Sequence, residues 1–208
     1  MKTLVSCLLI GLIAVTTGRG QSFNLQQMLK EEKLISYSNH APVAINEKQG
    51  VSSNQIVWLK NVNFSTGTIE VDLRGKDIPQ RSFLGIAFHG VDTLTYDAIY
   101  FRPFNFQSTD PVRKIHAVQY ISHPQYTWER LRNEKNGIYE KGINPPPAAT
   151  EWFHAKIVVD ESTITVYVNG ATVHSLKVDK LNDRKDGLIG LWNYGLNGDF
   201  ANLTVKRN

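Results

Sequence analysis

From residue 51 onward the chain repeats one local pattern: short runs in which apolar and polar side chains alternate, broken by turn residues. The runs are QIVWLKNVNF, TIEVDLRG, FLGIAFHG, YDAIYFRP, HAVQYISH, WFHAKIVVD, TITVYVNG, TVHSLKV, GLIGLWN and FANLTV. A period of two is the signature of half-buried strands, and no long stretch has the 3.6-residue period of a helix. Short strands at this spacing predict an all-β, two-sheet antiparallel sandwich. Asn169-Gly170 is the strongest turn signal, because both positions tolerate positive φ in a tight hairpin. With no internal repeat and no Ser/Gly linker, residues 51–208 read as one domain. Residues 21–50 read as its N-terminal edge segment, in which NLQQMLKEEKLISYSNH (24–40) offers one helical turn or a run along the edge.

The opening MKTLVSCLLIGLIAVTTGRG has a basic residue, an apolar run and then small residues. That layout predicts a cleaved secretory signal peptide over residues 1–20 and a secreted or periplasmic product. No other segment approaches the roughly 18 apolar residues of a membrane-spanning helix. Cleavage removes Cys7, the single cysteine, so the mature chain forms no internal disulfide. It also removes Lys2 and Arg19, leaving 21 of the 23 basic residues against 19 acidic ones, a net charge of +2. So weak a field, with no Lys/Arg stripe, argues against a nucleic-acid partner.

The hairpin FLGIAFHGVDTLTYDAIYFRPFNF (83–106) poses the functional question. Leu84, Ile86, Phe88, Ile99 and Phe101 fall on one face, which is read as the core side. The opposite face holds Gly85, Ala87 and His89, then Ala98, Tyr100 and Arg102, where a merely wetted strand would carry Thr, Lys or Glu. In TIEVDLRG the core side is Ile69, Val71 and Leu73, leaving Glu70, Asp72 and Arg74 on the other. If both segments lie in one sheet, these faces combine into a polar cleft with a floor of small residues. The competing expectation is a solvated face with internal ion pairs such as Asp72–Arg74 or Glu70–Arg102. Gln119, in HAVQYISH, is placed on the cleft and His123 at the strand end. Trp58, Trp152 and Trp192 are read as packing residues, and His154 and His174 as surface residues.

The segment PQYTWERLRNEKNGIYEKGINPPPAAT (124–150) breaks the alternation. Loops this long inside a compact domain are uncommon and are functional or disordered. Tyr126, Trp128 and Tyr139 beside Arg130 and Arg132 favour an ordered loop, with a short helix in TWERLRNE. Trp128 offers a flat surface for the apolar C–H face of a sugar ring, and Arg130 a hydrogen-bonding partner. The plainer expectation is a loop that plugs one end of the sandwich.

EWFHAKIVVDESTITVYVNG, followed by DGLIGLWNYGLNGDFANLTV, resembles the concanavalin A-like lectin/glucanase superfamily, including its laminin-G-like members. The resemblance implies a jelly roll of two curved antiparallel sheets, with ligand on the concave sheet or its rim. Because fold does not settle activity, it leaves several function classes in play. The first is a secreted saccharide- or polysaccharide-binding module using Arg74, Tyr100, Arg102, Gln119, His123, Trp128 and Arg130. The second is a secreted carbohydrate-active hydrolase, with Glu70, Asp72 and His89 as the catalytic candidates. Glycoside hydrolysis uses paired carboxyl groups, and the superfamily's retaining glucanases carry E-x-D-x-x-E or E-x-D-x-E on one strand. Here the run is Glu70-Val71-Asp72-Leu73-Arg74, and Arg74 stands where the second Glu would be. Some single-domain secreted members similar to this chain act on 3-keto-disaccharides, which leaves His89 or a carboxylate as base. A polysaccharide lyase and a laminin-G-like protein-binding surface are lesser alternatives. No cofactor is expected; the resemblance allows calcium, for which Asp92, Asp97 and Asp199 are scattered carboxylates.

Overall fold

A computed structural model of the chain describes residues 20–208. The expected signal peptide lies outside the described residues, apart from Gly20. In chain order the elements begin with β1 (Gln21–Phe23), α1 (Leu25–Lys30), β2 (Leu34–Ser36), β3 (Val43–Ala44) and β4 (Val51–Ser53). Then come β5 (Val57–Phe64), β6 (Gly67–Arg74), β7 (Ser82–Gly90) and β8 (Tyr96–Phe101). The middle of the chain forms α2 (Pro111–Lys114), β9 (Val118–His123), α3 (Trp128–Glu134) and β10 (Glu140–Lys141). It closes with β11 (Phe153–Val159), β12 (Thr163–Val168), β13 (Leu176–Asp179), β14 (Gly187–Gly195) and β15 (Gly198–Arg207).

These strands build two antiparallel sheets packed face to face, the expected all-β jelly-roll sandwich. The eight-stranded sheet runs β13-β12-β11-β6-β15-β4-β3, with β1 also paired to β15. The seven-stranded sheet runs β10-β9-β8-β7-β14-β5-β2. Residues 21–50 therefore give strands to both sheets. Alternation decides which side chains meet between the sheets. Ile69, Val71 and Leu73 of β6 pair with Ile157, Ala155 and Phe153 of β11, all buried. From the other sheet Phe101 meets Phe153 edge-on at 5.1 Å between ring centroids, and Phe106 does the same at 5.1 Å. Burying each such ring contributes roughly 1.5–3 kcal/mol, and geometry of this kind adds to it. Among the described residues no helix is long and apolar enough to cross a membrane.

One expectation about strand order fails. β6 does not join the β7–β8 hairpin; it is central in the eight-stranded sheet, between β11 and β15. The connection 75–81 carries the chain from one sheet to the other. At its start Gly75 passes so close to Pro103 that a Cβ would sit 2.5 Å from the proline Cγ. Consecutive strands in sequence thus lie back to back, and their outward faces point in opposite directions.

Candidate functional site

The outer face of the seven-stranded sheet carries most of the expected ligand-binding residues. One row of Cα partners reads Trp192, Gly85, Tyr100, Gln119 and Glu140 across five strands. At Gly85 the neighbouring strand comes so close that a Cβ would lie 2.0 Å from Ile99 O, and the rings of its two row partners, Trp192 and Tyr100, meet at 4.7 Å. In the neighbouring row, a Cβ at Gly190 would lie 2.7 Å from the Trp58 ring, and one at Gly90 would lie 2.4 Å from it. The small residues make room for the chain's own aromatic rings, which corrects the expectation of an open floor for a ligand.

Beside those rings lies a hydrogen-bonded polar cluster. The Tyr100 hydroxyl donates to Gln119 Oε1 at 2.6 Å and accepts from Arg102 Nη2 at 2.6 Å. Arg102 Nη2 also donates to Gln119 Oε1, and its Nη1 reaches Glu140 Oε2 at 3.4 Å. Arg132, from α3, grips both oxygens of Glu140 at 2.9 and 2.7 Å, and His116 Nδ1 lies 2.9 Å from Oε2. Burial pushes the Glu140 carboxyl up, but Arg132 and Arg102 outweigh it and hold it below the ordinary glutamate value. Burial pushes the Tyr100 hydroxyl up to about 12. Gln119 is wholly buried, and with its oxygen taken by two donors its Nε2 has no partner. A buried unsatisfied donor costs on the order of 1–3 kcal/mol.

The rim of this cluster is aromatic. Phe83 contacts Tyr100, Phe104 and the exposed Tyr194. Trp128 is 42% exposed and stacks its ring under the Arg132 guanidinium at 5.1 Å. Thr127 caps α3 by accepting from Arg130 N, which fixes how Trp128 and Arg132 project. Arg130 itself pairs with Glu134 and covers the Tyr126 ring, turned along the helix. His123 stacks on Tyr96 at 5.0 Å, and burial lowers its pKa.

His89 departs from the alternation. Its backbone sits at φ 49, where the β7–β14 register shifts between Leu188 and Gly190. A bulge of this kind re-aims a side chain, and the ring is buried away from the outer face. Its Nδ1 meets Asp97 Oδ2 at 3.0 Å and its Nε2 meets Ser65 O at 2.7 Å. Asp97 further accepts from Tyr120 at 2.8 Å, Asn182 at 2.6 Å and Arg184 at 2.9 Å. This is a sealed polar plug inside the sandwich, so His89 does not meet Glu70 or Asp72.

Glu70, Asp72 and Arg74 lie on the outer face of the eight-stranded sheet. Asp72 accepts from Lys48 Nζ at 2.7 Å, Asn202 Nδ2 at 2.8 Å and His154 Nδ1 at 2.8 Å. Burial alone would raise its carboxyl, but those three bonds hold it below the ordinary aspartate value. His154 is the direct cross-strand partner of Asp72, and its Nε2 stands 3.6 Å from Glu70 Oε2. Arg74 bonds Glu47 at 2.7 Å and Asp199 at 2.9 Å, and lies 4.7 Å above the Trp152 ring. Neither expected pair, Asp72–Arg74 or Glu70–Arg102, forms. Asp92 caps its own loop at Leu94 and Thr95, Asp97 is in the buried plug, and Asp199 is held by Arg74. Among the described residues no three His, Cys, Asp or Glu side chains cluster as metal ligands.

The chain belongs to the 3-keto-alpha-glucoside-1,2-lyase-like domain family, whose pattern it matches over residues 22–206. No curated protein sequence matches it. Among solved structures it is similar to the carbohydrate-binding module CBM66 from Bacillus subtilis. That likeness has 16% identity and a TM-score of 0.58, over 81% of this chain and 92% of the module. A candidate glycosyl hydrolase from Parabacteroides distasonis ATCC 8503 matches with 13% identity and a TM-score of 0.57, over 85% of this chain and 94% of the other. A Bacillus subtilis protein of unknown function with a galectin-like fold matches at 11% identity and a TM-score of 0.53, covering 81% and 87%. At these identities the likenesses establish the jelly-roll fold alone.

Proposed function

We propose that the chain is a secreted carbohydrate-binding β-sandwich that takes a glucoside on the outer face of its seven-stranded sheet. The observation that carries this reading is the aromatic rim, with Trp128 and Tyr194 exposed and Phe83 between Tyr194 and Tyr100, set beside the Tyr100–Arg102–Gln119 cluster. Trp128, Phe83 and Tyr194 offer flat apolar faces for the sugar ring. Family membership supports glucosides, including 3-keto-glucosides, as the ligand class, and the N-terminal signal pattern supports export. Binding is measured by titrating the protein with glucosides and 3-keto-glucosides while following heat or tryptophan fluorescence. Gln119→Met, which keeps length and removes both polar atoms, should weaken binding about tenfold, as should Trp128→Ala. Unchanged affinity in both variants, with unchanged melting, would sink the assignment.

A second reading, a carbohydrate-active enzyme, is favoured by the same family. In a 3-keto-glucoside the ketone acidifies the C2 proton, so a base can remove it while the C1 oxygen departs. Glu70 and Asp72 remain its candidate residues, now without His89.

A further inference from the structure

We propose that His154, positioned by Asp72, is a proton-abstracting base on the outer face of the eight-stranded sheet, acting on a 3-keto-glucoside at C2. The inference rests on the second reading above. His154 Nδ1 donates to Asp72 Oδ1 at 2.8 Å, which fixes the tautomer whose Nε2 carries a free lone pair. That Nε2 stands beyond hydrogen-bonding distance of Glu70, at 3.6 Å, on a side chain that is 38% exposed. The base is therefore oriented through Nδ1, on a ring that solvent reaches, with no hydrogen bond made by Nε2.

The surroundings of Asp72 are built from unusual backbone. Lys48 and Asn202 reach the same oxygen, Oδ2, from residues at φ 52 and φ 51. Asn202 lies where the β15–β6 register shifts between Ala201 and Thr204. Non-glycine residues in the left-handed region cost on the order of 1 kcal/mol each and persist where the surroundings hold them. Here two of them aim their side chains at one carboxylate. The main chain of His154 is fixed as well: its N donates to Asn169 Oδ1 at 2.8 Å, and Asn169 N donates back to His154 O at 2.8 Å. A shallow groove lined by Phe23, Lys48, Gln49, Asn202 and Thr204 runs beside the pair. Thr204 is the cross-strand partner of Glu70, so the groove and the base share one surface.

The step balances within the substrate. Nε2 takes the C2 proton, the C2–H electron pair becomes the C1=C2 bond, and the C1–O bond breaks with its pair on the leaving oxygen. The products are a 1,2-unsaturated 3-keto sugar and the free alcohol, which takes up a proton from the imidazolium or from water. No oxidant or reductant enters.

The test uses the full chain with 4-nitrophenyl 3-keto-α-glucoside, reading 4-nitrophenol release. A second probe is the 3-keto sugar without a leaving group at C1, in D2O, reading exchange of its C2 proton by NMR. Wild type should do both, and His154→Gln should lose both by at least about a hundredfold. His174→Gln, which changes an exposed histidine far from the groove in sequence and chemistry, should leave both unchanged. Asp72→Asn should lower kcat and the exchange rate with KM held, the split expected of a positioning residue, and circular dichroism confirms that each variant is folded. If wild type reacts and His154→Gln reacts equally, the inference is overturned and the catalytic reading stands. If wild type neither releases nitrophenol nor exchanges the proton, the catalytic reading falls and the inference falls with it.

Discussion

The molecule contains two histidine–aspartate pairs with nearly the same contact distance and opposite surroundings. His89 and Asp97 meet at 3.0 Å with both side chains wholly buried, whereas His154 and Asp72 meet at 2.8 Å with the histidine 38% exposed. In the first pair both ring nitrogens already lie against oxygen atoms, Asp97 Oδ2 and Ser65 O, so nothing is left to react. In the second pair one nitrogen is held and the other, 3.6 Å from Glu70 Oε2, makes no hydrogen bond on a ring that is partly exposed. The difference teaches that an orienting carboxylate makes a histidine structural or reactive depending on what meets its second nitrogen. Burial and the Ser65 carbonyl settle it for His89.

The largest expected effect separates the pairs by stability. Asp97→Ala leaves Arg184 and His89 without their shared anion inside the sandwich, which should cost about 3–5 kcal/mol. Asp72→Asn, buried at the outer face but keeping its shape and one oxygen that can still accept, should cost about 1–2 kcal/mol. Urea unfolding measures both, and equal costs would erase the distinction between plug and surface site.

Acid should act next, and in the same direction. Burial raises the Asp97 carboxyl, but bonding from His89 and the charge of Arg184 outweigh it, so its folded pKa lies below the unfolded value. Glu140 is lowered too, with Arg132 and Arg102 outweighing its burial. Groups of this kind stabilise fully above the unfolded carboxylate pKa, near 4, and lose that contribution as pH falls through the folded value. Each unit of lowering is about 1.4 kcal/mol. Melting temperature followed from pH 6 to pH 2 should therefore fall, and Glu140→Gln should flatten that fall while lowering stability at pH 6. A Glu140→Gln profile parallel to wild type would mean that the carboxylate adds nothing to the acid response.

The sandwich was legible because alternation is local. Each run that reads as a strand lies in or overlaps one, and the short helix in TWERLRNE is α3. The sites were legible only in part, because they depend on pairing between strands distant in sequence. Tyr100, Arg102 and Gln119 meet because β8 and β9 are neighbours and alternation carries across them. Glu140 was missed because the two-residue β10 has no pattern of its own, and Arg132, read only as part of an ordered loop, reaches it from α3. His154 reads as an ordinary outward residue of WFHAKIVVD until β11 pairs with β6 and sets it opposite Asp72. His89 misled for the converse reason: a single bulge reverses the face that strict alternation assigns.

The smallest effect tests reactivity without any assumed substrate. Diethyl pyrocarbonate acylates an unprotonated imidazole nitrogen that solvent can reach, and mass spectrometry locates the adduct. In folded protein the exposed His40 and His174 should react, His154 should react at Nε2, and the wholly buried His89 should react only after unfolding. Asp72→Asn removes the charge that fixes the His154 tautomer, so it should slow acylation there a few-fold while leaving His174 unchanged. A His89 adduct formed at the His154 rate in folded protein would contradict the sealed plug. An Asp72→Asn variant whose His154 reacts as in wild type would show that the carboxylate neighbours the ring without orienting it, and the two pairs would then differ in exposure alone.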